Sequence, residues 1–131
     1  MASNIASGQM LHLEEFTTSK HGIKYQIIKQ SDEQKAQLGD LVTVHYSGYL
    51  LHGVNQVGKK FDSSLDRGEP FQFNLGSRQV IEGWELTLAD MKIGEERVVI
   101  LPPQLAYGNR AVSIIPANSF LIFDIKLIAA E

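Results

Sequence analysis

The chain has 131 residues, of which 44% are hydrophobic and 21% charged. That is enough apolar material for one domain burying about two thirds of its unfolded surface, and it excludes a disordered chain or a scaffold dependent on disulfide staples. A net charge of -3 argues against a nucleic-acid surface, and the absence of cysteine removes disulfides, thiol nucleophiles and thiolate metal sites.

Residues 1–20 mix Ser, Asn, Thr and Gly with scattered apolar positions and show no period. They predict a loosely ordered leader with room for a short edge strand. MASNIASGQMLHLEEF lacks a basic region running into an apolar one, and no window approaches a membrane span. A cytoplasmic protein without signal peptide or membrane association is expected.

From Ile23 the alternation Ile23, Tyr25, Ile27 predicts a strand, ended by QSDEQKAQLGD with Gly39-Asp40 as a turn. In LVTVHYSGYLL, Val42, Val44 and Tyr46 share one face while Thr43, His45 and Ser47 take the other, as in a half-buried strand. The following GVNQVGKK fits the phosphate-loop pattern G-x-x-x-x-G-K-[ST] except at its last position, where Lys60 replaces the hydroxyl that holds a magnesium ion. Nor is there room for the helix such a loop must open, since Gly68 and Pro70 follow too soon. A glycine-bearing connection between strands is expected instead.

FQFNL alternates again between Pro70 and Gly76, as a strand does. The period then changes, and Ile81, Trp84, Leu88 and Met91 fall on one face of a helix between Val80 and Met91, with Gly94 at its expected stop. RVVILPP reads as a short apolar strand ended by prolines, QLAYGNRAVSIIPAN as a loop, and SFLIFDIKLIAAE as a long last strand. The sum is an α+β chain in which an antiparallel sheet of about five strands is covered by a single helix.

Conventional chemistry is absent from this inventory. His12, His21, His45 and His52 have no metal-ligand spacing, no G-x-S-x-G elbow occurs, and Glu14-Glu15 and Glu95-Glu96 read as solvated charge. Neither a metal nor a cofactor is expected. What the chain does carry is aromatic: Tyr46, Phe61, Phe71, Phe73, Trp84, Tyr107, Phe120 and Phe123 are spread over every element, which suits either a core or an apolar cavity. Trp84 brings an N–H to the buried helix face, so it needs a partner or a place on a pocket floor.

The segments VHYSGYL, GKKFDSSLDRGEPFQFNLG, VIEGWELTLADMKIGE, LAYGN and IIPANSFLIFDIKL, in that order, resemble the FKBP family of peptidyl-prolyl cis-trans isomerases over about residues 23–130. The resemblance implies a twisted antiparallel sheet wrapped around one short helix, with residues 21–131 as the isomerase domain and residues 1–20 as its leader. It implies Trp84 as the pocket floor, with Tyr46, Phe61, Phe71, Val80, Ile81 and Phe123 as walls. Asp62 and Tyr107 become the polar groups of the edge, catalytic together with Trp84, and Arg67 steadies Asp62. The Ile81 amide is implied as a donor to a ligand carbonyl. For Phe73 and Leu75 plain core packing is preferred.

The resemblance further implies proline-containing peptides or unfolded proteins as substrates, the macrolides tacrolimus and rapamycin as inhibitors, and a monomer without cofactor. GVNQVGKK looks like a lengthened loop into the family's FDSS segment. The chain departs from the family pattern at Leu105, where an aromatic is common, at Gln79, where an acid is frequent, and in a loop at 108–114 that is one residue short. A binding module of the same fold without useful turnover is the second reading, and a holdase chaperone the third.

Overall fold

The fold is seen in a computed structural model that describes residues 3–131. The strands are β1 (Thr17–Thr18), β2 (Lys24–Lys29), β3 (Leu41–His52), β4 (Gln56–Ser63), β5 (Phe71–Asn74), β6 (Glu96–Leu101) and β7 (Leu121–Ala130). They form one antiparallel sheet in the order β1-β2-β6-β7-β3-β4, with β5 paired to β3. Two helices, the single turn α1 (Ser64–Arg67) and the longer α2 (Glu82–Asp90), complete the described regular elements with 3-10 turns at Leu13–Glu15 and Pro103–Leu105.

The five strands expected from periodicity are β2, β3, β5, β6 and β7. The two further strands are β1, in the leader, and β4, which holds the Gly58-Lys59-Lys60 end of the motif-like loop. A strand in that place settles the phosphate-loop question, because the pattern requires a helix there. Exposed lysines suit β4 as an edge strand, since they discourage pairing with another chain.

The long β3 and β7 pair from Val42↔Ala130 to Leu50↔Leu121 and form the centre of the sheet. Their alternate side chains face α2: Val42, Val44, Phe123, Ile125 and Leu127 pack with Trp84, Leu88 and Met91 in one core. Helix α2 has no side-chain cap, but Glu82 and Glu85 in its first turn complement the positive end of its dipole. It ends at Asp90, ahead of Gly94, which takes a turn conformation at φ 93°. Gly83 lets the helix seat closely, since a Cβ there would lie 2.5 Å from Leu101 Cδ1.

The outer face of the sheet carries a second apolar cluster of Tyr49, Val57, Val98, Ile100 and Ile122, and the leader lies over it. Ile5 and Leu11 are buried there. The leader also pairs with the β3–β4 hairpin: Gly8 N–H donates to Val57 O at 2.6 Å, Val57 N–H to Gln9 O at 2.8 Å, and Leu11 N–H to Asn55 O at 2.7 Å. With both faces covered, the alternation of β3 disappears from Tyr46 to Tyr49, where every residue is buried. Among the described residues no helix is long and apolar enough to cross a membrane.

Candidate active site

The pleat of β3 sends Tyr46 to the α2 side of the sheet, where Phe61 and Asp62 of β4, Phe71 of β5 and Phe123 of β7 also project. Helix α2 adds Trp84, the segment before it adds Val80 and Ile81, and the loop after β6 adds Tyr107. Together these nine residues, with Arg78 and Gln79, line a cavity of about 460 Å³. Phe73 and Leu75 lie outside it as core residues, only 2% and 3% exposed.

The rings meet edge to face, which places positive ring edges against negative faces. Tyr46 and Trp84 have centroids 4.8 Å apart at 83°, Trp84 and Phe123 5.5 Å at 82°, and Phe61 and Phe123 5.6 Å at 90°. Gly48 makes room for this box: a Cβ there would lie 2.7 Å from both Phe123 Cε1 and Phe61 Cζ. The indole Nε1 of Trp84 is buried without an acceptor among the described residues. The Ile81 amide, at the approach to α2, also makes no backbone hydrogen bond there.

One side of the rim is polar. The Tyr46 hydroxyl donates to Asp62 Oδ2, Arg67 Nη1 donates to Asp62 Oδ1, and Arg67 Nη2 donates to the Tyr46 oxygen at 3.1 Å. Arg67 stands behind Asp62 rather than on the cavity wall. It is positioned by α1, where Ser63 Oγ accepts the Asp66 N–H and Gly68 closes the turn at φ 69°. Burial, reinforced by the hydrogen bond to Asp62, pushes the Tyr46 phenol up to about 12 against the opposing pull of Arg67. Burial and then the charge of Asp62 also raise Tyr107. Both phenols therefore remain neutral hydrogen-bond donors throughout the physiological range.

Arg78 and Gln79 are the wall residues that the sequence alone did not single out as site residues. Arg78 reaches the cavity because its backbone takes the left-handed conformation, φ 62°, a turn that no spacing rule identifies. Among the described residues no cluster of three or more His, Cys, Asp or Glu is placed to hold a metal ion.

Residues 32–128 match the family model of the FKBP-type peptidyl-prolyl cis-trans isomerases. The chain is 54% identical over 99 residues to FK506-binding protein 1A of Neurospora crassa, covering 75% of this chain and 78% of that one. It is 47% identical over 112 residues to FK506-binding protein 2 of Candida glabrata, covering 82% and 79%. Among solved structures, AtFKBP13 superposes with a TM-score of 0.80 at 35% identity over 89% of this chain and 99% of that one. FkpA from Escherichia coli gives 0.79 at 37% identity, over 90% of this chain and 52% of that one. A family match across most of the chain, on a sheet and helix that enclose an aromatic cavity, leads to one conclusion: the chain belongs to the FKBP-type peptidyl-prolyl cis-trans isomerases.

Proposed function

We propose that the aromatic cavity is the catalytic pocket, and that it accelerates rotation about Xaa-Pro bonds by excluding water and by favouring the twisted amide. Rotation about a peptide bond faces a barrier of about 18–20 kcal/mol because amide resonance must be lost. Before proline both isomers are populated and exchange is slow. The twisted amide has less charge separation than the planar one, so transfer from water to an apolar enclosure favours the transition state. Each ~1.4 kcal/mol gained in this way is a tenfold rate increase.

The observation that carries this reading is an aromatic enclosure in which the Ile81 amide has no backbone acceptor among the described residues and Trp84 Nε1 has none of any kind. Trp84 is the floor, and Tyr46, Phe61, Phe71, Val80, Ile81 and Phe123 are the walls. The Tyr107 hydroxyl and the Ile81 amide donate to bound carbonyls, which contributes to catalysis where these bonds strengthen in the twisted geometry. Asp62, fixed by Arg67 and Tyr46, supplies the charged edge. Rotation forms no covalent bond, so the proposed reaction needs no cofactor.

The proposed substrates are flexible or unfolded proline-containing segments, and the role is assistance to protein folding. The relatives named as FK506-binding proteins support tacrolimus, and by shared chemistry rapamycin, as inhibitors occupying the same pocket. A cytoplasmic monomer that binds neither nucleic acid nor membrane is proposed from composition and charge, to be checked by fractionation and sedimentation. We assign residues 21–131 to the isomerase domain and residues 1–20 to its leader.

The decisive measurement is cis-to-trans exchange of a short peptide with a hydrophobic residue before proline, with and without rapamycin. Rapamycin-sensitive acceleration is expected. A folded sample that binds the peptide without accelerating exchange would mark a binding module and overturn the catalytic assignment.

A further inference from the structure

Among the described residues, two charged side chains line the cavity, Asp62 and Arg78. Asp62 is already paired, because Arg67 donates to its Oδ1. The Arg78 guanidinium has no carboxylate partner among the described residues, because Glu85, the acid that lies against this loop, accepts backbone N–H groups with both its oxygens.

The backbone that carries Arg78 is held from two directions. Glu85 of α2 accepts the Arg78 N–H at 2.7 Å through one oxygen and the Gly76 N–H at 2.8 Å through the other. Gln79 Oε1 accepts the Asn74 N–H at 2.9 Å and ties the same loop to the end of β5. A non-glycine residue at φ 62° is uncommon and persists where its surroundings fix it, as this bidentate clamp does. The loop therefore presents its cation from a fixed place on the wall.

We propose that Arg78 is a specificity-determining residue that favours Xaa-Pro segments carrying an aspartate or glutamate beside the proline. This deepens the isomerase reading of the same cavity and rests on it. A guanidinium recognises a carboxylate through paired N–H donors and stays charged at every working pH. Arg78 is exposed, so the preference is the size of a surface ion pair, about two- to fivefold in kcat/KM. The chain's net charge of -3 opposes the approach of an acidic peptide at long range. At about 0.1 M salt that field is screened beyond about 10 Å, whereas contact with Arg78 is not.

The test compares kcat/KM for peptides with Glu, Gln or Lys on either side of the proline, using the full chain, Arg78→Gln and Arg78→Glu. In the unaltered protein Glu is expected to exceed its isostere Gln by about two- to fivefold on at least one side, with Lys below both. The Glu-to-Gln ratio falls to near one in Arg78→Gln and inverts in Arg78→Glu. Catalysis of all peptides at equal kcat/KM, or a Glu preference that survives both substitutions, overturns the role of Arg78 alone. Absence of catalysis with every peptide, including a neutral Leu-Pro control, overturns the isomerase reading and this inference with it.

Discussion

The Tyr46 hydroxyl donates to Asp62, joining a ring on the apolar wall to the carboxylate at the rim. Arg67 closes the triangle by donating to both. The Asp62 N-terminal neighbour Phe61 and the Tyr46 partner Trp84 belong to the aromatic box, so the polar triangle sets the rim while the rings set the depth.

Asp62→Ala is therefore expected to lower kcat/KM about tenfold with the circular dichroism spectrum unchanged, the low end of what a hydrogen bond to a charged group contributes. The low end applies because the Asp62 side chain is 42% exposed. Arg67→Ala keeps the carboxylate but frees it to turn, and is expected to cost less than Asp62→Ala. Equal activity in the parent and both variants, measured by peptide exchange, would refute the roles given to this triangle.

Most of the fold was legible in the sequence for local reasons, whereas the residues that line the cavity were named from the family resemblance and not from any local pattern. Val42, Val44 and Tyr46 alternate because one face of β3 meets the helix, and Trp84, Leu88 and Met91 share a stripe because α2 meets the sheet. Where a segment's packing comes from distant chain, the pattern fails. Ile5 and Leu11 follow no period, since they dock on a face built by β3, β4, β6 and β7. For the same reason β3 loses its alternation at Ser47 and Tyr49, the outer-face positions that are buried. Strand β4 hid behind Gly58 and two lysines, and Arg78 reaches the cavity only through a left-handed turn fixed by Glu85.

Trp84 is the chain's single tryptophan, so its emission reports on the pocket floor without interference. Rapamycin or a proline peptide is expected to change that emission saturably; unaltered emission at saturating ligand would remove Trp84 from the floor. Trp84→Ala is a poor probe, since truncating a buried aromatic costs about 3–5 kcal/mol. Trp84→Phe retains most of the apolar ring and deletes a buried N–H that has no acceptor among the described residues. It is expected to leave stability nearly unchanged, because relief of an unsatisfied donor offsets the lost volume, and to weaken ligand binding.

The leader is expected to stabilise the domain without touching the chemistry, since the cluster it covers lies across the sheet from the cavity. Leu11 is 7% exposed in that cluster. Leu11→Ala is expected to cost about 2 kcal/mol, the low end for such a truncation. The cost is capped by the free energy of detaching the leader, beyond which local opening relieves it. Thermal unfolding should show the loss while kcat/KM holds. A fall in activity matching the fall in stability would instead couple the two faces of the sheet.

Beneath the leader, Glu96 and the buried Asp124 form a carboxyl pair whose charges cannot both be well accommodated. Asp124 Oδ2 accepts the Asn4 N–H at 2.6 Å, but its Oδ1 has no donor among the described residues. A proton shared between Glu96 and Asp124 relieves the repulsion of the two carboxylates. Burial, then Asp124, raise Glu96 from its ordinary 4.5 to about 7, against the opposing fields of Lys126 and Lys29. Because the folded state holds this proton more tightly than the unfolded chain, the stabilisation is complete below about pH 4.5 and lost as pH rises through about 7. Glu96 is partly exposed, so after screening the effect amounts to about 1 kcal/mol. The melting temperature of the parent is expected to fall between pH 5 and pH 8 relative to Glu96→Gln, whose neutral side chain cannot titrate. Parallel pH profiles for the two proteins would show that the pair does not share a proton and that Asp124 is stabilised by Asn4 and Ser3 alone.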